Sequence, residues 1–189
     1  MTTARRPRLA LMPAGLFLAA LVLAWSWPGG LELSFTPVTG GPSLLTLPMR
    51  PGERFTIRYM HSVDHSPVWE EHSVDEGGRI FIEEERLIMF GAGMGEFPGR
   101  GRLTSRDGRQ VIENIHALLG DFVLRVGSPG VDHTVLWRGQ AVNLSRLAAG
   151  QAVRVAARTV GLLGVLLRRL GPGAVPPATA GEPGQPDKS

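Results

Sequence analysis

The sequence predicts an all-β domain, a small antiparallel sandwich or barrel-like fold, preceded by one N-terminal transmembrane or signal helix. Three observations predict it. Turn-forming residues recur about every 8–12 residues from Gly29 to Ala157, the spacing of short strands in a sandwich or barrel. Between the turns apolar side chains alternate at period two, as Phe55, Ile57 and Tyr59 do, and again Val153 and Val155. Ahead of them all, Leu9 to Trp27 carries no charged residue and follows Arg5, Arg6 and Arg8.

As a helix rising about 1.5 Å per residue, that uncharged stretch reaches roughly 28 Å, close to the thickness of a hydrocarbon core. The arginines hold the N-terminus in the cytoplasm and place everything after Trp27 outside it. Trp25 and Trp27 suit a membrane interface and favour a retained anchor, while Ala24-Trp25-Ser26 also has the small-x-small pattern of a signal cleavage site. The organisation expected is an anchor or signal over 1–28, a β domain over 29–157, a short apolar segment over 158–170, and a disordered tail over 171–189. That tail is too rich in proline, glycine and alanine to build a core.

A chain of 189 residues accommodates one ordinary domain with tails. With no cysteine, it can build no disulfide, thiolate metal site or cysteine nucleophile. Three of its twenty basic side chains precede the apolar stretch, so the remainder balances its seventeen acidic ones. No cationic run outside the N-terminus is available to displace phosphate counterions, which argues against nucleic acid as a partner. Acids dominate from Glu53 to Phe90 and arginines from Arg100 to Arg169. That asymmetry suits either solvated faces or complementary strands joined by cross-strand pairs.

In chain order, Gly29 to Gly52 reads as one or two short strands, with Leu31, Leu33 and Phe35 alternating before the Pro37, Gly40-Gly41-Pro42 and Pro51-Gly52 breaks. Phe55 to Glu70 reads as strand, tight turn, strand. Asp75-Glu76-Gly77-Gly78 turns the chain into an apolar segment over 79–90, whose alternation is interrupted by Glu83-Glu84-Glu85, the mark of a bulge or a short helical turn. Phe90 to Gly99 is a glycine loop that lacks the following helix a phosphate cradle needs. Asp107-Gly108 centres a hairpin, Leu118 to Val126 is a strand, and Arg138-Gly139 centres another hairpin between Val131–Trp137 and Gln140–Leu144. Gly150 introduces a strand over 151–157. Val160 to Leu167, flanked by Arg158 and Arg168-Arg169, reads as a short interfacial or docking helix, or as a packed terminal one.

The unusual chemistry lies in the hairpin. His61 continues the parity of Phe55, Ile57 and Tyr59, and across the turn Val68, Glu70, His72 and Val74 share one parity, so a carboxylate and imidazoles are expected on a mostly apolar face. His61-x-x-x-His65 has the ligand spacing of a helical zinc site, but on a strand four residues span about 13 Å, too far for one ion. Glu70 and His133 could complete a mixed ligand set with His61 if their strands adjoin. Ser62, His61 and Asp64 are close in sequence, yet neighbouring strand residues face opposite ways, which is poor geometry for a nucleophile and its base. A histidine hydrogen-bonded to Glu70 or to backbone would instead fix the hairpin. No cofactor is indicated, and the balance favours binding over catalysis.

His61-Ser62-Val63, Pro67-Val68-x-Glu70, Phe90-Gly91-Ala92-Gly93 and Asp132-His133-Thr134, with the closing strand of alternating valines, together resemble a family. It is the uncharacterised bacterial domain-of-unknown-function family DUF1850, commonly encoded beside TRAP transporters of the TAXI type. The resemblance covers about residues 31–157, and His61, Ser62, Glu70, Gly91, Gly93 and His133 match family positions without an assigned role. His72 stands where the family more often has an apolar residue. The resemblance implies an extracytoplasmic accessory of a TRAP transporter at the bacterial inner membrane, or free in the periplasm after cleavage, that binds the transporter's subunits or its solute receptor. The alternative is a metal-binding or hydrolytic enzyme built on His61, Glu70 and His133.

Overall fold

The computed structural model describes residues 28–63, 65–88, 101–162, 164 and 165, together with 15, 18–20 and 22. Nearly all of the N-terminal segment expected to be an anchor or signal lies outside the described residues, as do the glycine loop with Gly91 and Gly93 and the tail after residue 165. Gly15, Leu18 to Ala20 and Val22 are helical and exposed. Among the described residues no helix is long and apolar enough to cross a membrane. The chain divides into two compact units, one of residues 1–30 with 159–174, the other containing Leu31–Arg158.

The second unit is all-β, as the alternation and turn spacing require. Its strands are β1 (Pro28–Pro37), β2 (Leu45–Met49), β3 (Arg54–Met60), β4 (Pro67–Val74), β5 (Ile80–Leu87), β6 (Arg102–Arg106), β7 (Arg109–Glu113), β8 (Ala117–Leu118), β9 (Phe122–Arg125), β10 (Thr134–Trp137), β11 (Gln140–Asn143) and β12 (Ala152–Gly161), with one short helix, α1 (Leu144–Ala148), after β11. A four-stranded sheet runs β2-β1-β12-β9, and an eight-stranded sheet runs β11-β10-β3-β4-β5-β7-β6 with β8 also paired to β5. Leu31, Leu33, Phe35, Leu47, Val153 and Val155 of the smaller sheet pack with Phe55, Ile57, Val74, Ile80 and Val135 of the larger in one core. Burying these aliphatic and aromatic side chains, worth about 1.5–3 kcal/mol each, is what holds the two sheets together. A second, smaller cluster joins Ile82, Ile112 and Ile115.

The hairpins follow their turn residues. Asp107 (φ 51°) and Gly108 (φ 73°) both lie in the left-handed region between β6 and β7, as a two-residue turn demands, and Arg138 (φ 47°) with Gly139 (φ 73°) does the same between β10 and β11. The two charge-biased halves meet in ion pairs. Arg138 reaches Glu53 at 2.5 Å, and Arg106 sits 3.7 Å from Glu84. Such exposed pairs contribute only about 0–1 kcal/mol each.

Three expectations need correction. The stretch Leu118 to Val126 is not one strand: β8 pairs with β5 in the large sheet and β9 with β12 in the small one, and Gly120 at φ 64° turns the chain between them. Strand β12 does not stop at Ala157 but runs through Gly161, so the apolar segment after Arg158 begins as strand. Helical conformation is described only at Leu162, Gly164 and Val165. Leu144 opens a helix rather than closing a strand, because the Asn143 side chain accepts a hydrogen bond from Arg146 N at 2.8 Å and caps it.

Candidate functional site

Two lateral rows of the large sheet run through seven strands, and one of them lies on the face that carries Ile57. In order across the sheet it reads Val142, Val135, Ile57, Glu70, Glu85, Ile112 and Leu103. Two carboxylates thus stand opposite each other on β4 and β5 in the middle of an otherwise apolar line. The neighbouring row runs Phe55, His72, Ile82 and Ala117.

Glu85 reaches this face because of a bulge. On the β3 side the register of β4 is regular, but on the β5 side Glu71 pairs with Glu84 and His72 with Ile82, leaving Glu83 as the extra residue. The parity of β5 changes there, so Ile80 and Ile82 before the bulge and Glu85 and Leu87 after it are all buried. The interruption of alternation at Glu83-Glu84-Glu85 was the sequence signal for this bulge. Period-two reading alone would have put Glu84 on the inner face.

Two further titratable side chains, Tyr59 and His72, meet this pair. The Tyr59 hydroxyl donates to Glu70 Oε1 at 3.0 Å, and His72 Nε2 lies 3.9 Å from Glu70 Oε2. His72 Nδ1 is 3.1 Å from the Glu70 carbonyl oxygen, which fixes the neutral ring with its proton on Nδ1 and its lone pair on Nε2. The ring is stacked between Phe55 and Phe122, with centroids 5.0 and 5.6 Å away. Burial holds the His72 pKa down to about 4, so the ring is neutral at physiological pH.

Burial also raises the Glu70 pKa, with the Tyr59 hydrogen bond opposing it. Glu85 is pushed up to about 7, first by burial and then by the charge of Glu70. The same two causes lift the Tyr59 hydroxyl above its ordinary range. Two carboxyl groups so placed titrate as a unit, each disfavouring the charged form of the other.

His133 approaches from the other side of Tyr59. Its ring stacks on the tyrosine at 5.2 Å. Its Nδ1 accepts from Gly127 N at 3.0 Å, and its backbone N–H donates to Ser145 Oγ at 2.9 Å. Beside it Asp132 accepts from Arg58, Asn143 and Thr134. His133 therefore ties the Gly127 loop and α1 to the start of β10, and burial lowers its pKa against the opposing charge of Asp132.

Of the residues singled out from sequence, the structure brings Glu70 and His133 to opposite sides of Tyr59 and leaves His61 outside. Strand β3 ends at Met60, and His61 opens the turn, with its N–H donating to Ser66 O at 2.8 Å. Glu70 pairs with Ile57, four residues earlier, so His61 is about 13 Å further along the strand direction. The expected His61–Glu70 contact is replaced by Tyr59–Glu70. Ser62 is exposed in the turn. Among the described residues no group of three or more histidines and carboxylates is placed to hold a metal ion. Tyr59 and Glu85 were missed as site residues, and His72 was set aside.

A separate open cleft of about 500 Å³ is lined in part by Arg54, Ser73, Arg79, Phe81, Glu83 and His116. Ser73 Oγ donates to Glu83 Oε1 at 2.5 Å, and His116 Nδ1 contacts the same oxygen at 3.0 Å while its ring lies flat on Phe81 at 4.7 Å. Burial opposes ionisation of Glu83, but the Ser73 and His116 hydrogen bonds hold its pKa down. The order is serine, carboxylate, imidazole. The hydroxyl proton is committed to the carboxylate, so the histidine is not aligned as a base for this serine.

Residues 55–144 match the model of a family described as Domain of unknown function (DUF1850). The match begins in β3 and ends where α1 starts, so it spans every strand of the large sheet and contains Tyr59, Glu70, His72, Glu85 and His133. No curated protein and no solved structure matches the chain.

Proposed function

We propose that this chain, whose residues 55–144 are similar to a domain-of-unknown-function family, is a membrane-attached extracytoplasmic binding domain that serves as an accessory of a TAXI-type TRAP solute transporter. The transporter part of this reading rests on what the sequence resemblance implies, namely that such a chain is encoded beside a TAXI-type transporter; the matched residues cover the sheet that carries the carboxylate pair. The N-terminal pattern of Arg5, Arg6 and Arg8 before an uncharged stretch supports export. On this reading the sandwich is a rigid platform, and the partner is the transporter's solute receptor or one of its membrane subunits.

The test is capture from native membranes. Full-length chain carrying a C-terminal tag is crosslinked mildly in its own host and recovered from detergent extract. Co-recovery of a TAXI receptor or a transporter membrane subunit is the expected result, and recovery of the chain without either would overturn the accessory role. Export is checked separately by fusing after Ser189 a phosphatase that is active only outside the cytoplasm. An active fusion is expected; an inactive one, with a cytoplasmic reporter active at the same point, reverses the orientation.

A further inference from the structure

The first and last strands, β1 and β12, are neighbours in the small sheet, and the chain enters and leaves them at the same place. Val38 N–H donates to Ala152 O at 2.9 Å, and further back along β1 Ser34 Oγ donates to Ala156 O at 3.3 Å. As β1 is followed back towards Gly29, its partner advances towards Leu162, so the two run antiparallel. The approach is closest at that end: a Cβ at Gly29 would stand 2.6 Å from the Leu162 Cα, and only a glycine lets the two backbones meet there. Both segments that continue beyond this point are helical where they are described, and both present aliphatic surface. Leu18 is 64% exposed, Val22 59% and Leu162 49%.

We propose that the apolar segment beginning at Leu162 is a second attachment to the lipid bilayer, entering its interface beside the N-terminal stretch.

This inference rests on the membrane-attached reading given above and adds a contact to it. With Leu9 to Trp27 in the bilayer, Gly29 follows Trp27 by two residues and stays within about 7 Å of the interface, since even an extended chain advances only about 3.3 Å per residue. Leu162 packs on that glycine and is delivered to the same depth. From there the sequence runs Leu162-Leu163-Gly164-Val165-Leu166-Leu167 and then Arg168-Arg169. Six residues rise only about 9 Å as a helix, far short of a hydrocarbon core, so the segment is suited to the interface rather than to crossing. Its leucines supply apolar area, and the arginines that follow carry the charge that lipid phosphates attract. A terminal helix packed on its own protein would bury Leu162, which instead keeps about half of its surface.

The chain has no cysteine, so a single introduced one reports its own surroundings. Full-length chain carrying Leu162→Cys, Val165→Cys, Val22→Cys or Val38→Cys is labelled with a polarity-sensitive fluorophore. Each is reconstituted in vesicles of phosphatidylcholine and phosphatidylglycerol, with or without nitroxide on the acyl chains. Val38 is the aqueous reference, because it is 48% exposed and lies about 30 Å along the β1 direction from Gly29. Nitroxide lipid should cut the emission at the Leu162 and Val165 positions to roughly half or less, as at the Val22 position, and leave the Val38 position unchanged. Quenching at the Val22 position without quenching at Leu162 or Val165 keeps the N-terminal anchor and overturns the second attachment. A blue-shifted but unquenched label at Leu162 and Val165 overturns it too, since the segment then packs on protein. Equal quenching at all four positions reports indiscriminate insertion and has the same consequence. No quenching at any position overturns the membrane-attached reading and the second attachment together.

Discussion

Replacing Glu85 by Gln should stabilise the protein in a pH-dependent way, and the direction follows from the position of its carboxyl group. Unfolded, Glu85 ionises near its ordinary 4.5; folded, it ionises at about 7. A carboxyl whose pKa is raised by folding holds its proton more tightly in the folded state. Its contribution is therefore fully present below pH 4.5 and is lost as pH rises through 7. At about 1.4 kcal/mol per pH unit, that interval corresponds to a loss on the order of 3 kcal/mol, and because Glu85 is 5% exposed little of it is screened by solvent. Gln cannot ionise, so the variant should match the parent at pH 4.5 and exceed it by that amount at pH 8. His72 acts in the opposite sense. Its pKa falls from an ordinary 6.5 to about 4, so its contribution is present above pH 6.5 and is lost as pH falls through 4. The two slopes largely cancel in the parent profile between pH 4.5 and 6.5, and only the difference between variant and parent isolates Glu85. Urea unfolding of full-length chain, followed by the fluorescence of Trp69 and Trp137 at half-unit pH steps, measures that difference. A difference that is constant from pH 5 to pH 8, or a parent more stable than the variant at pH 8, would refute the placement of Glu85 on the buried face beside Glu70.

Three further outcomes are expected. His72→Phe keeps the stack between Phe55 and Phe122 but cannot take a proton, so it should flatten the loss of stability below pH 6.5, measured by the same urea midpoints. Tyr59→Phe leaves Glu70 Oε1 without its donor and should cost about 1–3 kcal/mol; in a double-mutant cycle with Glu70→Gln the losses should fail to add, whereas His61→Ala and Glu70→Gln should add to within about 0.5 kcal/mol. Gly78→Ala places a methyl 2.9 Å from the Ala157 carbonyl oxygen at φ +77°, while Gly108→Ala at φ +73° meets open space; thermal midpoints should show the first costing clearly more than the roughly 1 kcal/mol expected of the second.

The fold was legible because strands and turns are written locally. Phe55, Ile57 and Tyr59 declare their face by alternation, and Asp107-Gly108 and Arg138-Gly139 declare their turns by tolerating positive φ. The helix after Asn143 was not legible, since five residues are too few to show a helical period. The site was half legible. Glu70 and His72 follow from parity within one strand, but the pairing of Glu70 with Glu85 depends on a register between β4 and β5 that no local pattern encodes. His61 misled because alternation was extended one residue past the end of β3. Tyr59 was hidden by its own hydrophobicity: a tyrosine at a core position reads as core, and its hydroxyl finds Glu70 only when β3 and β4 are paired.

The bulge in β5 falls within a run of three identical residues, and this makes the acid pair degenerate with respect to sequence. With the extra residue at Glu83 or Glu84, Glu85 faces Glu70; if the bulge migrated on to Glu85, Glu84 would take that position. Either way a glutamate is delivered to the same coordinate of the sheet. A slip of this kind, which ordinarily exchanges a strand's inner and outer side chains, would here be locally silent. What the fold specifies is a carboxylate opposite Glu70, with Glu84 able to stand in for Glu85.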